Sequence, residues 1–136
     1  MKYKGLFRNK TFLIVEDCQP CVLLYEEWLL ETEAKLIFAK NGNEAIMICQ
    51  KEKNIDLVLM DIVLPGINGL EATKKIKLFK NKLPIIAVSA SVCCDIKQNC
   101  KEAGCDLFIE KPICEMVLLD SLYKILFLNK NIIEIM

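Results

Sequence analysis

An α/β domain built on a parallel sheet of five strands is the fold class this sequence predicts, and three observations predict it. Five short apolar runs recur along the 136 residues, each rich in branched or bulky side chains. Longer stretches of helical period separate them. No long linker, repeat or low-complexity tract interrupts the alternation. Runs that are apolar at nearly every position suit strands buried on both faces, as in parallel sheets. Strands and helices that alternate in this way are joined by right-handed crossovers.

The elements follow in order. TFLIV (11–15) is the first strand, and Cys21, Leu24, Tyr25 and Trp28 share one face of the helix after it, with Pro20 near its first turn. AKLIFA (34–39) is the second and weakest strand. The next helix, over 43–53, has Asn43 as its expected N-cap after Gly42. LVLM (57–60) precedes a helix with Gly69, Ala72, Ile76 and Phe79 on one face, and PIIAVS (84–89) and DLFIE (106–110) complete the sheet. The last helix, roughly 114–128, carries two apolar stripes. Leu118, Leu122, Ile125 and Leu126 form the stripe a core needs. Met116, Leu119, Tyr123 and Phe127 form a second on a neighbouring face. Either the tail residues Ile132, Ile133 and Ile135 cover this second stripe, or it docks a partner or a second copy; the small area of the tail favours docking.

Composition sets the class. Apolar residues make up 54% and charged residues 26%, so a single globular domain over 1–136 is expected, with its core at about 10–128 and an apolar tail at 129–136. Eighteen Lys and Arg balance eighteen Asp and Glu, so no net field draws the chain to nucleic acid or to an anionic membrane. No apolar run approaches a membrane span. The basic start MKYKGLFRNK leads into an apolar stretch too short for the core of a signal peptide. Eight cysteines, at 18, 21, 49, 93, 94, 100, 105 and 114, are scattered, several within apolar segments, and a reduced cytoplasm is the expected compartment. Histidine is absent, which excludes His metal ligands, Ser-His and Cys-His pairs, and any phosphohistidine of the chain's own.

Ligands of open parallel sheets bind outside the carboxyl ends of the strands. There the sequence places Glu16 and Asp17 after the first strand, Asp61 at the end of the third, Ser89 at the end of the fourth and Lys111 after the fifth. Clustered carboxylates repel one another unless a cation neutralises them, and hard oxygen donors suit Mg²⁺ or Mn²⁺. A carboxylate is also a nucleophile toward phosphorus. A hydroxyl and an ammonium would then stabilise charge on the equatorial oxygens of an in-line transfer. Taken singly, each residue reads as a helix cap or a solvated loop charge. Five converging on one sheet edge read as a site.

The stretches FLIVED, NGNEAI, LVLMDIVLPGINGLEA, PIIAVSA and AGCDLFIEKPI carry a resemblance: from Lys10 to about Leu128 the chain resembles the receiver domain of two-component response regulators. The resemblance implies a flavodoxin-like, doubly wound sheet with strand order 2-1-3-4-5 and helices on both faces. It implies that Asp61 takes a phosphoryl group from the phosphohistidine of a sensor histidine kinase or histidine phosphotransfer protein, and that the aspartyl-phosphate later hydrolyses. The domain would catalyse both steps on itself, as a switch and not as a turnover enzyme. Glu16, Asp17, Asp61 and the backbone carbonyl of Val63 would hold Mg²⁺ (or Mn²⁺). Ser89 and Lys111 would attend the phosphoryl group, and Ser89 and Phe108 would form the switch, coupled to a last strand-helix face able to join a homodimer. Residues 83–113 most resemble receivers attached to hybrid sensor kinases, and no stretch reads as an output domain. The acidic pair is Glu-Asp where Asp-Asp also occurs in the family, which keeps both carboxylates. Ser89 replaces the frequent threonine and keeps the hydroxyl. Phe108 replaces the frequent tyrosine, so an output that reads a phenolic hydroxyl is not expected.

Cys18 and Cys21, spaced C-x-x-C around Pro20, offer a rival reading as a redox dithiol similar to thioredoxin's, at a helix start where a thiolate is stabilised. It leaves Asp61, Ser89 and Lys111 without a purpose, so structural cysteines are expected; an 18–21 disulfide would disturb the neighbouring acidic pair. A pseudo-receiver that binds a partner without phosphorylation is the other alternative. Val63 stands where dehalogenase-like phosphatases need a second aspartate, Cys93-Cys94 lacks zinc spacing, and the five glycines form neither a dinucleotide fingerprint nor a P-loop. Hydrolysis of an aspartyl-phosphate needs an aligned water, to which Val63 offers only an apolar side chain and Ser91 a hydroxyl. Slow self-dephosphorylation is therefore expected.

Overall fold

Each apolar run becomes a strand: β1 (Thr11–Val15), β2 (Lys35–Ala39), β3 (Leu57–Asp61), β4 (Ile85–Ser89) and β5 (Leu107–Glu110). The helices are α1 (Gln19–Leu29), α2 (Gly42–Lys51), α3 (Gly69–Phe79), α4 (Cys94–Ala103) and α5 (Glu115–Tyr123). This computed structural model describes residues 3–90 and 94–128, Cys94 by its backbone alone. Ser91, Cys93, the Cys94 side chain and the tail residues Ile132, Ile133 and Ile135 lie outside the described residues. The strands form one parallel sheet in the order β2-β1-β3-β4-β5, the expected doubly wound arrangement. The chain reverses its direction of winding between β1 and β3, which opens a crevice at their carboxyl ends.

Alternate side chains along each strand serve opposite faces. Phe12, Ile14, Leu59, Ile86 and Val88 pack with Tyr25 and Leu29 of α1 and with Leu118 and Leu122 of α5. Leu13, Val15, Val58, Met60 and Ala87 pack instead with Ala45 of α2, Ala72 and Ile76 of α3 and Cys100 of α4. Each such buried large side chain contributes roughly 1.5–3 kcal/mol, so register is strongly specified: a slip by one residue would turn both layers inside out. Among the described residues no helix is long and apolar enough to cross a membrane.

The start of α2 differs from the expectation. Asn41, not Asn43, is the cap: it is extended, with φ −155°, and its Oδ1 accepts the N–H of Glu44 at 2.8 Å. Gly42 fills the first helical position because a Cβ there would lie 2.7 Å from Cγ1 of Ile67. Asn43 is therefore already inside the helix, where its side chain has no free N–H two or three residues on in the capping sense.

The last helix also differs in part. After α5 the chain continues as a wider π turn over Lys124–Leu128. Leu118, Leu122 and Ile125 are buried as expected, but Leu119 of the second stripe is buried with them, while Met116, Tyr123 and Phe127 stay exposed. Part of this stripe meets an element that neither expectation named. It is the segment before β1: Phe7 is fully buried and its ring lies parallel to that of Phe127, centroids 6.1 Å apart. The Tyr3 hydroxyl donates to Asp120 of α5. The N–H groups of Gly5 and Phe7 donate to the carbonyls of Glu31 and Thr32 at 2.8 and 3.0 Å. The lead-in thus straps the turn after α1 to α5.

Candidate functional site

Backbone hydrogen bonds carry the sheet one residue past its strands and so fix where the polar side chains begin. Glu16 N–H donates to Ala39 O, Ile62 N–H to Val88 O and Lys111 N–H to Ser89 O, at 2.9, 3.0 and 2.9 Å. Glu16 and Asp61 are thereby held almost wholly buried, 3% and 6% exposed, whereas Asp17 faces solvent. The ammonium of Lys111 bridges the two buried carboxylates, 3.2 Å from Asp61 Oδ2 and 3.3 Å from Glu16 Oε1. The other oxygen of each is held by the backbone. Val63 N–H donates to Asp61 Oδ1 at 3.1 Å, and Cys18 N–H to Glu16 Oε2 at 3.2 Å. The Lys111–Pro112 peptide is cis.

Charge at this edge is unbalanced. Glu16, Asp17 and Asp61 each bring a carboxylate oxygen into a cluster in which all lie within 4.8 Å of one another. Among the described residues, the three carboxylates stand here against one ammonium, that of Lys111. Burial first, and then the nearness of Asp61, hold the Glu16 carboxyl above its usual range. Burial pulls the Lys111 ammonium down, but Asp61 and Glu16 outweigh it and raise it. A buried, all-oxygen, net-negative cluster fits a hard divalent cation such as Mg²⁺.

Ser89 ends β4 almost fully buried, on the strand adjacent to β3, with Asp61 in register with Val88. Phe108, in the middle of β5, is fully buried on the α4 side, where the Lys97 ammonium lies 5.9 Å from its ring centroid. The Val63 side chain is 73% exposed. Glu16, Asp17, Asp61 and Lys111 thus meet in one cluster, with Ser89 on the neighbouring strand end and Phe108 deeper in the fold. Sequence reasoning took Cys21, Leu24, Tyr25 and Trp28 as one helix face, which they are, but missed what that face does. Only Tyr25 is buried; together with Pro112 and Ile113 they line an apolar groove of about 380 Å³ with Lys111 at its wall. Helical period reports a shared face and is silent on whether the face is filled.

The model of the response regulator receiver domain matches residues 12–123. The polar-differentiation response regulator DivK of Brucella anthropi is 35% identical over 106 residues, which cover 76% of this chain and 85% of DivK. The sensory/regulatory protein RpfC of Xanthomonas campestris pv. campestris is 26% identical over 90% of this chain, which spans only 17% of RpfC. Among solved structures, the receiver domain of sensor histidine kinase PA1611 from Pseudomonas aeruginosa PAO1 superposes with a TM-score of 0.78 at 26% identity, covering 85% of this chain and 96% of that one. That structure holds a magnesium ion coordinated in its active-site cleft.

Proposed function

This chain belongs to the response regulator receiver domain family, and from that premise we propose that Asp61 accepts a phosphoryl group from a phosphohistidine on a partner histidine kinase or phosphotransfer protein. One observation carries the reading: Asp61 is buried at a sheet edge with one oxygen on the Lys111 ammonium and the carboxylates of Glu16 and Asp17 beside it. An Asp61 oxygen attacks phosphorus; the new P–O bond forms as the P–N bond breaks, and the bonding pair leaves on the donor's imidazole nitrogen. Lys111 shifts its ammonium from the carboxylate to a phosphoryl oxygen, where the charge now lies. The Ser89 hydroxyl donates to another phosphoryl oxygen, and with Phe108 passes the change toward β5 and α5.

Glu16, Asp17, Asp61 and the carbonyl of Val63 are the residues to hold Mg²⁺ or Mn²⁺, which when bound neutralises the phosphoryl oxygens. The magnesium in the Pseudomonas receiver's cleft supports this assignment. The domain then promotes its own phosphorylation and eventual hydrolysis, and works as a switch for partner binding, including a homodimer through the exposed Met116 and Tyr123 of α5. The test is intact mass after incubation with Mg²⁺ and acetyl phosphate. One phosphoryl adduct is expected on the parent and none on Asp61→Asn or after chelation. No adduct on the parent would leave a binding module that is never phosphorylated.

A further inference from the structure

The phosphoryl site leaves one motif of the sequence unused, the pair Cys18 and Cys21. Cys18 is the N-cap of α1 and Cys21 its third helical residue, the two positions whose side chains face each other at a helix start. Both sulfurs are free. The Cys18 side chain caps no backbone N–H, so nothing in the helix start holds its sulfur. Access is open too: Cys18 is exposed and Cys21 faces the groove beside Lys111. Cys100 and Cys105 are also near neighbours, the N–H of Cys105 donating to the carbonyl of Cys100 at 3.0 Å, but both are buried in the core.

We propose that Cys18 and Cys21 form a reversible disulfide on reaction with a peroxide, and that closing this bond loosens the hold of Cys18 N–H on Glu16. Cys18 is exposed and Cys21 only partly so, set against the groove; Cys18 therefore meets the oxidant and Cys21 resolves it. The Cys18 sulfur attacks one peroxide oxygen, the O–O bond breaks, and one water leaves with the second oxygen, giving a sulfenic acid. The Cys21 sulfur then attacks the Cys18 sulfur and displaces the sulfenic oxygen as a second water. Two S–H bonds and one O–O bond are exchanged for one S–S bond and two waters, and two electrons pass from the thiols to the peroxide. The new bond draws Cys18 toward the helix, away from a contact to Glu16 of 3.2 Å that is already long for a bond to a carboxylate.

The disulfide stands on its own geometry; its coupling to Asp61 rests on the phosphoryl-acceptor reading. The test treats the full reduced chain with hydrogen peroxide, blocks remaining thiols with iodoacetamide and weighs the peptide spanning both cysteines. It should be two hydrogens lighter and unalkylated, and dithiothreitol should restore it; Cys18→Ser should not form it. Phosphorylation by acetyl phosphate with Mg²⁺ should then run about fivefold slower in oxidised than in reduced protein, as for the loss of one ordinary hydrogen bond, and be indifferent to peroxide in Cys18→Ser. Alkylation of both thiols, a sulfonic acid at Cys18, or a bond from Cys18 to Cys114 overturns the disulfide. Equal rates in the oxidised and reduced parent overturn the coupling. A reduced parent that takes no phosphoryl group sinks the phosphoryl-acceptor reading and the coupling with it, while the mass still decides the disulfide.

Discussion

A Cβ placed on Gly69 would lie 2.2 Å from the carbonyl oxygen of Asp61 and 2.8 Å from the Cα of Ile62. Gly69 opens α3, and its N–H donates to Ile62 O at 2.9 Å. The start of the helix therefore rests directly on the backbone that presents the Asp61 carboxylate. Neither side of this contact is a flexible side chain that could swing away. Gly69→Ala must push α3 and the end of β3 apart, at a cost of about 1–3 kcal/mol. Denaturant unfolding should show that loss, and labelling of Asp61 by acetyl phosphate should slow with it. A midpoint equal to the parent's would mean that the helix start yields freely.

Glu16 supplies a dependence on pH. Its carboxyl is held above the ordinary value of 4.5, by burial and then by Asp61, against the opposing pull of Lys111. A carboxyl raised on folding binds its proton more tightly in the folded state, so metal-free protein gains stability as pH falls from the raised value toward the ordinary one and loses it as pH rises through that window. In chelator, Glu16→Gln should remove this component and melt above the parent at neutral pH. Mg²⁺ should reverse the order by stabilising the parent, by about 2.7 kcal/mol at a hundred times its Kd. Scanning calorimetry at two pH values, with and without Mg²⁺, reads all of this. Identical curves for parent and variant would take Glu16 out of the charged cluster.

Strands and strand-end residues were legible because each apolar run stops where its polar residue begins, as in LIVED, VLMD and AVS. A parallel sheet then brings those ends together without further information. Choosing Asn41 over Asn43 was not legible, since it depends on Gly42 packing against Ile67, a contact between residues distant in sequence. The same holds for Phe7. A short lead-in has no period to read, and its burial depends on Phe127 at the other end of the chain. Phe7→Ala should cost about 3–5 kcal/mol, like other buried aromatic truncations. Tyr3→Phe, which leaves the ring and removes only the hydroxyl bonded to Asp120, should cost about 1 kcal/mol. Urea titrations check both, and a Phe7→Ala midpoint near the parent's would show that the strap is dispensable.

On the proposed phosphoryl-acceptor reading, the lifetime of an aspartyl-phosphate depends on what stands beside Asp61. Val63 donates its backbone N–H to Asp61 Oδ1, yet its side chain is turned to solvent. Hydrolysis needs a water held on the side of phosphorus opposite the leaving carboxylate, and an isopropyl group gives that water neither donor nor acceptor. Loss of the phosphoryl group should be slow at neutral pH. Val63→Asn, which adds a carboxamide at the same exposed position, should speed it severalfold at unchanged stability. Decay of the adduct by timed intact mass measures both, and a parent half-life of seconds would contradict the argument.

Self-association is the remaining consequence of the α5 pattern, and the structure narrows it. Leu119 belongs to the core and Phe127 leans on Phe7, so the apolar surface left on this face centres on Met116 and Tyr123, with the outer side of Phe127. A patch of that size is too small to hold a permanent dimer, whose interfaces are large and strongly apolar. It is enough for a weak, state-dependent pairing if phosphorylation of Asp61 shifts β5 and α5 through Ser89 and Phe108. Light scattering across a dilution series should therefore show monomer without a phosphoryl mimic and a growing dimer fraction with Mg²⁺ and beryllofluoride. Tyr123→Glu puts a charge at the centre of the patch and should return the protein to monomer while leaving acetyl phosphate labelling intact. A strict monomer in both states, indifferent to Tyr123→Glu, would mean that the strap from Tyr3 to Phe7 covers all of the stripe that needs covering.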